Sequence, residues 1–220
     1  MKQYIREPIN SLTHLAGVIL SVFGLFFMAG KVLAKSGSPL EIAIVMVFGI
    51  SLILLYAAST TYHWVIADEK VIHFLRRVDH AMIFVLIAGT YAPYCLITLK
   101  GTAGYTLFSV ISILVIAGVI FKLVWFHCPR WISTFIYIGM GWMALFVFSP
   151  LAKSLEFGGL CLLILGGIFY TIGGIIYGAK PACLQFKQVG YHEIFHIFIL
   201  LGSLSHFLSI YFYVISVALH

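Results

Sequence analysis

"SPLEIAIVMVFGISLILLYAASTTYHW", Ser38 to Trp64, is the stretch from which the fold can be read. From Ile42 to Tyr62 it holds no Asp, Glu, Lys or Arg, and a helix needs about 20 such residues to cross the ~30 Å hydrocarbon layer. Ser38 followed by Pro39 is a helix-start signal, with proline at the first helical position. The run closes on Ser59, Thr60, Thr61 and His63, polar groups that a membrane helix carries only at a cost and therefore with a purpose. The stretch is read as a transmembrane helix whose last turns hold functional candidates.

The same pattern recurs along the 220 residues, of which 62% are hydrophobic and 9% charged, with a mean hydropathy of +1.10. A water-soluble domain carries about a quarter charged residues, so the composition specifies an integral membrane protein. Seven apolar stretches are long enough to span: Ile9 to Gly30, Glu41 to Trp64, Asp79 to Leu99, Gly104 to Phe126, Trp131 to Ser149, Phe157 to Tyr177 and His192 to Leu219. The connections are short, which gives one domain over residues 1–220, an all-α bundle of seven transmembrane helices. Pro93 predicts a kink in the third helix. Gly166-Gly167 and Gly174-x-x-x-Gly178 predict close helix packing. The N-terminal "MKQYIREPIN" has no small-residue cleavage site after the first apolar stretch, so it is read as leading into a span and not as a signal peptide.

The net charge of +6 is read as a topology signal, because no basic cluster is dense enough for nucleic acid. Lys2, Arg6, Lys70, Arg76, Arg77, Lys122, Arg130, Lys180 and Lys187 fall on one side, and Lys31, Lys35, Lys100 and Lys153 on the other. The positive-inside rule puts the richer side and the N-terminus in the cytoplasm, and an odd number of spans puts the C-terminus outside.

The polar groups within the spans share one depth. His63 lies near the cytoplasmic end of the second helix with Ser59 one turn away on the same face. Asp79 opens the third helix, His192 and His196 open the seventh, and Asn10 and His14 lie in the first turns of the first. Three imidazoles from two helices make an open zinc site, with a fourth position left for water or substrate. A nearby carboxylate, Asp79, can deprotonate water that the metal acidifies toward ~7, and Ser59 can orient a ligand or a carbonyl. Other readings stand beside these. His14, His73, His80, His127, His206 and His220 fit ordinary hydrogen-bonded interfacial histidines, Asp79 an ion-pair partner of Arg76 or Arg77, and Ser59 a helix back-bond. Four scattered cysteines, Cys95, Cys128, Cys161 and Cys183, form no C-x-x-C pair; Cys128 in "HCPR" is the one with a metal or redox alternative.

"HEIFH", His192 to His196, also has the H-E-x-x-H form of zinc proteases. Glu193 sits about 100° around the helix from His192, and its place at a helix start favours the N-terminus electrostatically. It is read as a helix-start residue and not as the general base.

Together "EPINSLTH" (Glu7 to His14), "STTYH" (Ser59 to His63), "RRVDHAMIF" (Arg76 to Phe84) and "HEIFH" (His192 to His196) resemble the hemolysin III family, the bacterial branch of the progestin and adipoQ receptor family. The resemblance covers nearly the whole chain. It implies seven helices with the N-terminus inside, in a bacterial plasma membrane, and a zinc ion near the cytoplasmic face held by His63, His192 and His196. Asp79 matches the acidic residue that holds the water of that site, and Ser59 the serine of the second-helix motif. The wider group of membrane hydrolases with this Ser, Asp and three-His set includes ceramidases. The resemblance therefore implies an intramembrane lipid hydrolase cutting an amide or ester, with a part in membrane-lipid homeostasis. Over these 220 residues no counterpart of the extended N-terminal domain of the animal receptors is expected. Two further classes remain open at this stage: a pore-forming, haemolytic protein, and a lipid-responsive sensor with a structural zinc.

Overall fold

The structure, a computed structural model, describes residues 4–125, 128–186 and 189–217. Lys2 and Lys187 of the charge count, and His127 and His220, lie outside these residues. Seven helices are long and apolar enough to cross a membrane: Pro8–Ala34, Pro39–Trp64, Glu69–Leu99, Gly101–Val124, Arg130–Ser154, Phe157–Ala179 and Tyr191–Val214. No strand occurs among the described residues.

The second helix begins where its sequence says. The Ser38 hydroxyl accepts from the Glu41 N–H at 3.2 Å, and Glu41 Oε2 accepts from the Ser38 N–H at 2.8 Å. This reciprocal pair satisfies two orphan donors, and Pro39 occupies a position whose N–H would have no helical partner.

The third helix corrects the sequence reading. It opens at Glu69, not at Asp79. The charged turns around Lys70, Arg76 and Arg77 read as a connection, yet long basic side chains can reach polar surroundings while the backbone stays helical. Asp79 therefore lies ten residues into the helix, about 15 Å along its axis. The kink expected at Pro93 takes the form of a change in winding: α-helix gives way to a π-helical turn over Tyr94–Leu99. Proline removes an N–H donor and crowds the preceding turn, and a wider turn accommodates the mismatch. The fifth helix changes in the other direction, tightening to a 3-10 segment over Trp142–Val147, and the seventh ends in a π turn over Ile210–Val214.

Helices adjacent in sequence pack in pairs, first on second, second on third, third on fourth and sixth on seventh. The fifth rests on the sixth and third, and the first lies against the seventh. That last contact brings the two ends of the chain together. The segment before the first helix is tied to the second by the Arg6 N–H donating to the Trp64 carbonyl (3.2 Å) and the Glu7 N–H to the His63 carbonyl (3.0 Å). Both carbonyls belong to a helix end that cannot satisfy them internally.

Close approach depends on absent side chains. A Cβ on Gly17 would stand 2.6 Å from Cδ1 of Tyr56, and one on Gly166 would stand 2.7 Å from Nε2 of His206. A Cβ added to Gly174 would stand 3.2 Å from Ile138 of the fifth helix, and one added to Gly178 3.4 Å from Thr134, as a packing face requires. Gly17→Leu is expected to cost about 1–3 kcal/mol by overpacking. Thermal unfolding in detergent checks it against Gly30→Leu, where an added Cβ meets nothing within 4 Å; equal melting temperatures would refute the close first–second packing.

Candidate metal centre

The last turn of the second helix and the first turns of the seventh bring His63, His192 and His196 together. One ring nitrogen of each lies within 4.8 Å of the others, and Nε2 of His192 is 3.3 Å from Nε2 of His63. Spacing of four puts His192 and His196 on one helix face. His63 and His196 are each 1% exposed. Two nitrogens bound to a tetrahedral zinc at ~2.0–2.1 Å stand ~3.4 Å apart, and the His63–His192 spacing meets that figure. The donor set fits zinc: three imidazoles, with a fourth position open. Cys128 stays outside it, buried beside Ser133 with 3.8 Å between Sγ and Oγ.

A second layer fixes the rings. Nδ1 of His63 is 2.5 Å from Oε2 of Glu7. A carboxylate on one ring nitrogen sets the tautomer and turns the other nitrogen's lone pair toward a ligand. The hydrogen bond from His63 holds the Glu7 carboxyl down at about 2, so it is ionised at neutral pH. Asn10 bridges the chain ends, donating to Oε1 of Glu193 at 2.8 Å and to Oε2 of Glu7 at 3.3 Å. Thr13 Oγ1 lies 3.5 Å from Nδ1 of His196.

His14 is held by stacking and not by the hydrogen bond expected of an interfacial histidine. Its ring lies 3.6 Å from that of His196, centre to centre, with 11° between planes, and its two buried nitrogens have no hydrogen-bond partner. His80 does follow the ordinary pattern, with Nε2 3.2 Å from the Tyr177 hydroxyl. Glu193 caps its helix: Oε2 accepts from the Gly190 N–H at 2.7 Å.

Asp79 and Ser59 come together on the wall of an internal cavity of about 420 Å³, with His192 and His196. The Ser59 hydroxyl lies near enough to the Asp79 carboxyl to act on it. Asp79 is not one of the grouped metal-ligand atoms; it faces the space beside them. The cavity then continues past Leu86, Tyr94, Leu107 and Leu151 as far as His206, 14 residues beyond His192 or about 21 Å along the seventh helix. It thus has a polar end with a potential Lewis acid and a base, and a long apolar body.

Sequence reasoning gave no role to Glu7, although an acidic residue two positions before an apolar run was a visible signal. Lys122, Arg130, Tyr137 and Tyr177 of the fourth, fifth and sixth helices also line the cavity, and the sequence reading placed none of them at the site. Only the packing shows which way these side chains turn.

The family model described as "Haemolysin-III related" matches residues 2–207. The chain is 41% identical over 216 residues to "Hemolysin-3 homolog" of Bacillus subtilis, covering 97% of each chain. It is 39% identical over 221 residues to "Hemolysin-3" of Bacillus cereus, covering 99% of this chain and 96% of that one. A more distant likeness, 25% over 174 residues, is to human "Monocyte to macrophage differentiation factor", covering 76% and 68% of the two chains. Since the family model spans nearly the entire sequence and the Bacillus relatives match it end to end, the chain belongs to the haemolysin-III family.

Proposed function

We propose that this protein is a zinc-dependent hydrolase that cuts an amide or ester bond of a membrane lipid and so serves membrane-lipid homeostasis. The observation that carries this reading is the continuity of the cavity, from Ser59, Asp79, His192 and His196 along Leu86, Leu107 and Leu151. An acyl chain suits the apolar body, and its polar linkage would then rest at the polar end, as in most ligand sites. A soluble peptide has no counterpart to that body.

His63, His192 and His196 would hold the ion, with Glu7 fixing the first ring. Bound there, zinc would polarise the scissile carbonyl and acidify water. Asp79 is the base: it takes the proton of the attacking water and returns it to the leaving group. Ser59 holds the carboxyl through its hydroxyl and limits its rotation. Glu193 has both oxygens engaged, by Gly190 and Asn10, and takes no part in proton transfer. In this reading the N-terminus and the metal centre face the cytoplasm of a bacterial plasma membrane, as the charge bias directs.

The relatives' name, Hemolysin-3, raises a pore. A pore needs a continuous polar path, and the stretch of cavity between Leu86 and Leu107 has mostly apolar walls. A sensor would use the same ligands, so turnover separates it from an enzyme.

The wild-type protein is expected to purify with zinc and to hydrolyse at least one member of a panel of ester and amide lipids. Asp79→Asn is expected to keep the metal and lose at least ~100-fold in rate, the low end for a positioned acid or base. His196→Ala is expected to lose both. Zinc-loaded wild type that turns over no lipid would refute the enzyme. Glu7→Gln is expected to weaken zinc binding ~10–100-fold, read by chelator competition; unchanged affinity would remove Glu7 from the centre.

A further inference from the structure

Three cations line the cavity beside the metal centre: Arg76, Lys122 and Arg130, from the third, fourth and fifth helices. Lys122 lies near the end of its helix, where lysine ordinarily extends to the interface. It turns inward instead, 5% exposed, and its Nζ donates to the Ser133 hydroxyl. Arg130 donates to the Tyr191 hydroxyl at 3.3 Å, and its guanidinium lies 5.4 Å from the centre of the Tyr177 ring. Lys122 and Arg130 thus have hydroxyl partners, and neither is ion-paired to a carboxylate among the described residues. The one carboxylate on the cavity wall is Asp79.

The three cations converge. All of them act electrostatically on His80, whose ring is bonded to Tyr177. Tyr177 in turn packs against His192, 5.9 Å between ring centres, so the cationic wall and the metal centre share one aromatic side chain. Excess positive charge inside a water-poor cavity is costly until an anion joins it. A single carboxylate would answer one cation. Several cations that include planar guanidinium forks are the usual setting for phosphate.

We propose that Arg76, Lys122 and Arg130 form a binding site for the phosphate of a lipid headgroup, with the lipid's chain running along the apolar part of the same cavity. Joined to the hydrolase reading, on which this clause rests, it makes the substrate a phospholipid whose ester or amide lies within a few bonds of its phosphate. The phosphate site itself stands without that reading.

The test titrates the purified full-length protein, in uncharged detergent, with oleoyl-lysophosphatidic acid, with mono-oleoylglycerol and with inorganic phosphate, by calorimetry. The phosphate lipid is expected to bind at least about tenfold more tightly than the neutral lipid of the same chain, the contribution of a charge-assisted hydrogen bond. Lys122→Met is expected to erase most of that preference and leave mono-oleoylglycerol binding in place, with Lys122→Arg retaining it. Arg130→Gln, which leaves Lys122 in place, is expected to act in the same selective way and serves if Lys122→Met does not fold. Equal affinity of the wild type for the two lipids, or equal losses for both in the variants, would overturn the proposal. So would inorganic phosphate binding as tightly as the lysolipid, which would make this a site for the free ion. Asp79→Asn is expected to keep the preference. A protein that hydrolyses nothing yet prefers the phosphate lipid would lose the enzyme reading and retain this one.

Discussion

The approach of His63 and His192, 3.3 Å between Nε2 atoms, is the constraint on which the rest of the bundle depends. With Glu7 on Nδ1 of His63, the second ring nitrogen presents a lone pair, and a second imidazole nitrogen stands opposite it. Two imidazole nitrogens at this distance are held either by an N–H shared between them or by a cation bound to both. The contact also requires the end of the second helix and the start of the seventh to lie at one depth. The first helix supplies that register. Gly17 lets it lie flat against Tyr56, and Asn10 links Glu7 before it to Glu193 on the seventh helix. A membrane interior offers no water to correct a mismatch, so helix length, glycine placement and the histidine positions form one linked condition.

Much of this was legible in the chain, and the limits follow from physics. The Ser38-Pro39 start could be read because proline's fit to the first helical position is local, and the seven apolar runs could be counted because hydrocarbon thickness is fixed. His63, His192 and His196 were found by depth, since a helix of known direction places each polar residue to within a turn. The start of the third helix was misplaced by ten residues because charged turns resemble loops in sequence, although they are helical here from Glu69. His14 could be placed at the right depth but not against His196, because a stack of two rings is a fact of helix rotation and not of sequence spacing. The inward turn of Lys122 was hidden for the same reason: sequence tells where a side chain starts, and packing tells where it goes.

The string His192-Glu193-Ile194-Phe195-His196 shows how one local pattern serves different chemistry. In a soluble zinc protease, a glutamate beside the first histidine can reach the metal's water. Here that glutamate opens a membrane helix, and the Gly190 N–H at the helix start, which has no helical partner, claims one of its oxygens at 2.7 Å. Asn10 claims the other. On the proposed hydrolase reading the base comes from elsewhere, and the third helix offers Asp79, with Ser59 beside it on the cavity wall. Extending that helix toward Glu69 places this carboxylate about 15 Å from the helix start, beside the ligands and not above them.

On the proposed reading, depth selects the substrate. Charge interactions strengthen as water is excluded, so a carboxylate and a cation-rich wall inside the bundle can act strongly on a polar bond brought between them. A soluble molecule would have to shed its hydration to reach that depth with nothing gained in exchange. A lipid arrives with its chain already in hydrocarbon, and the apolar stretch past Leu86, Leu107 and Leu151 lets the chain remain there. The headgroup alone is desolvated, and Lys122 and Arg130, paired with hydroxyls and not with carboxylates, stand where an anionic headgroup would recover the lost hydration. If the proposal holds, a cavity with cations at one end and apolar walls along the rest would select the same molecule twice, by charge near the three histidines and by length away from them.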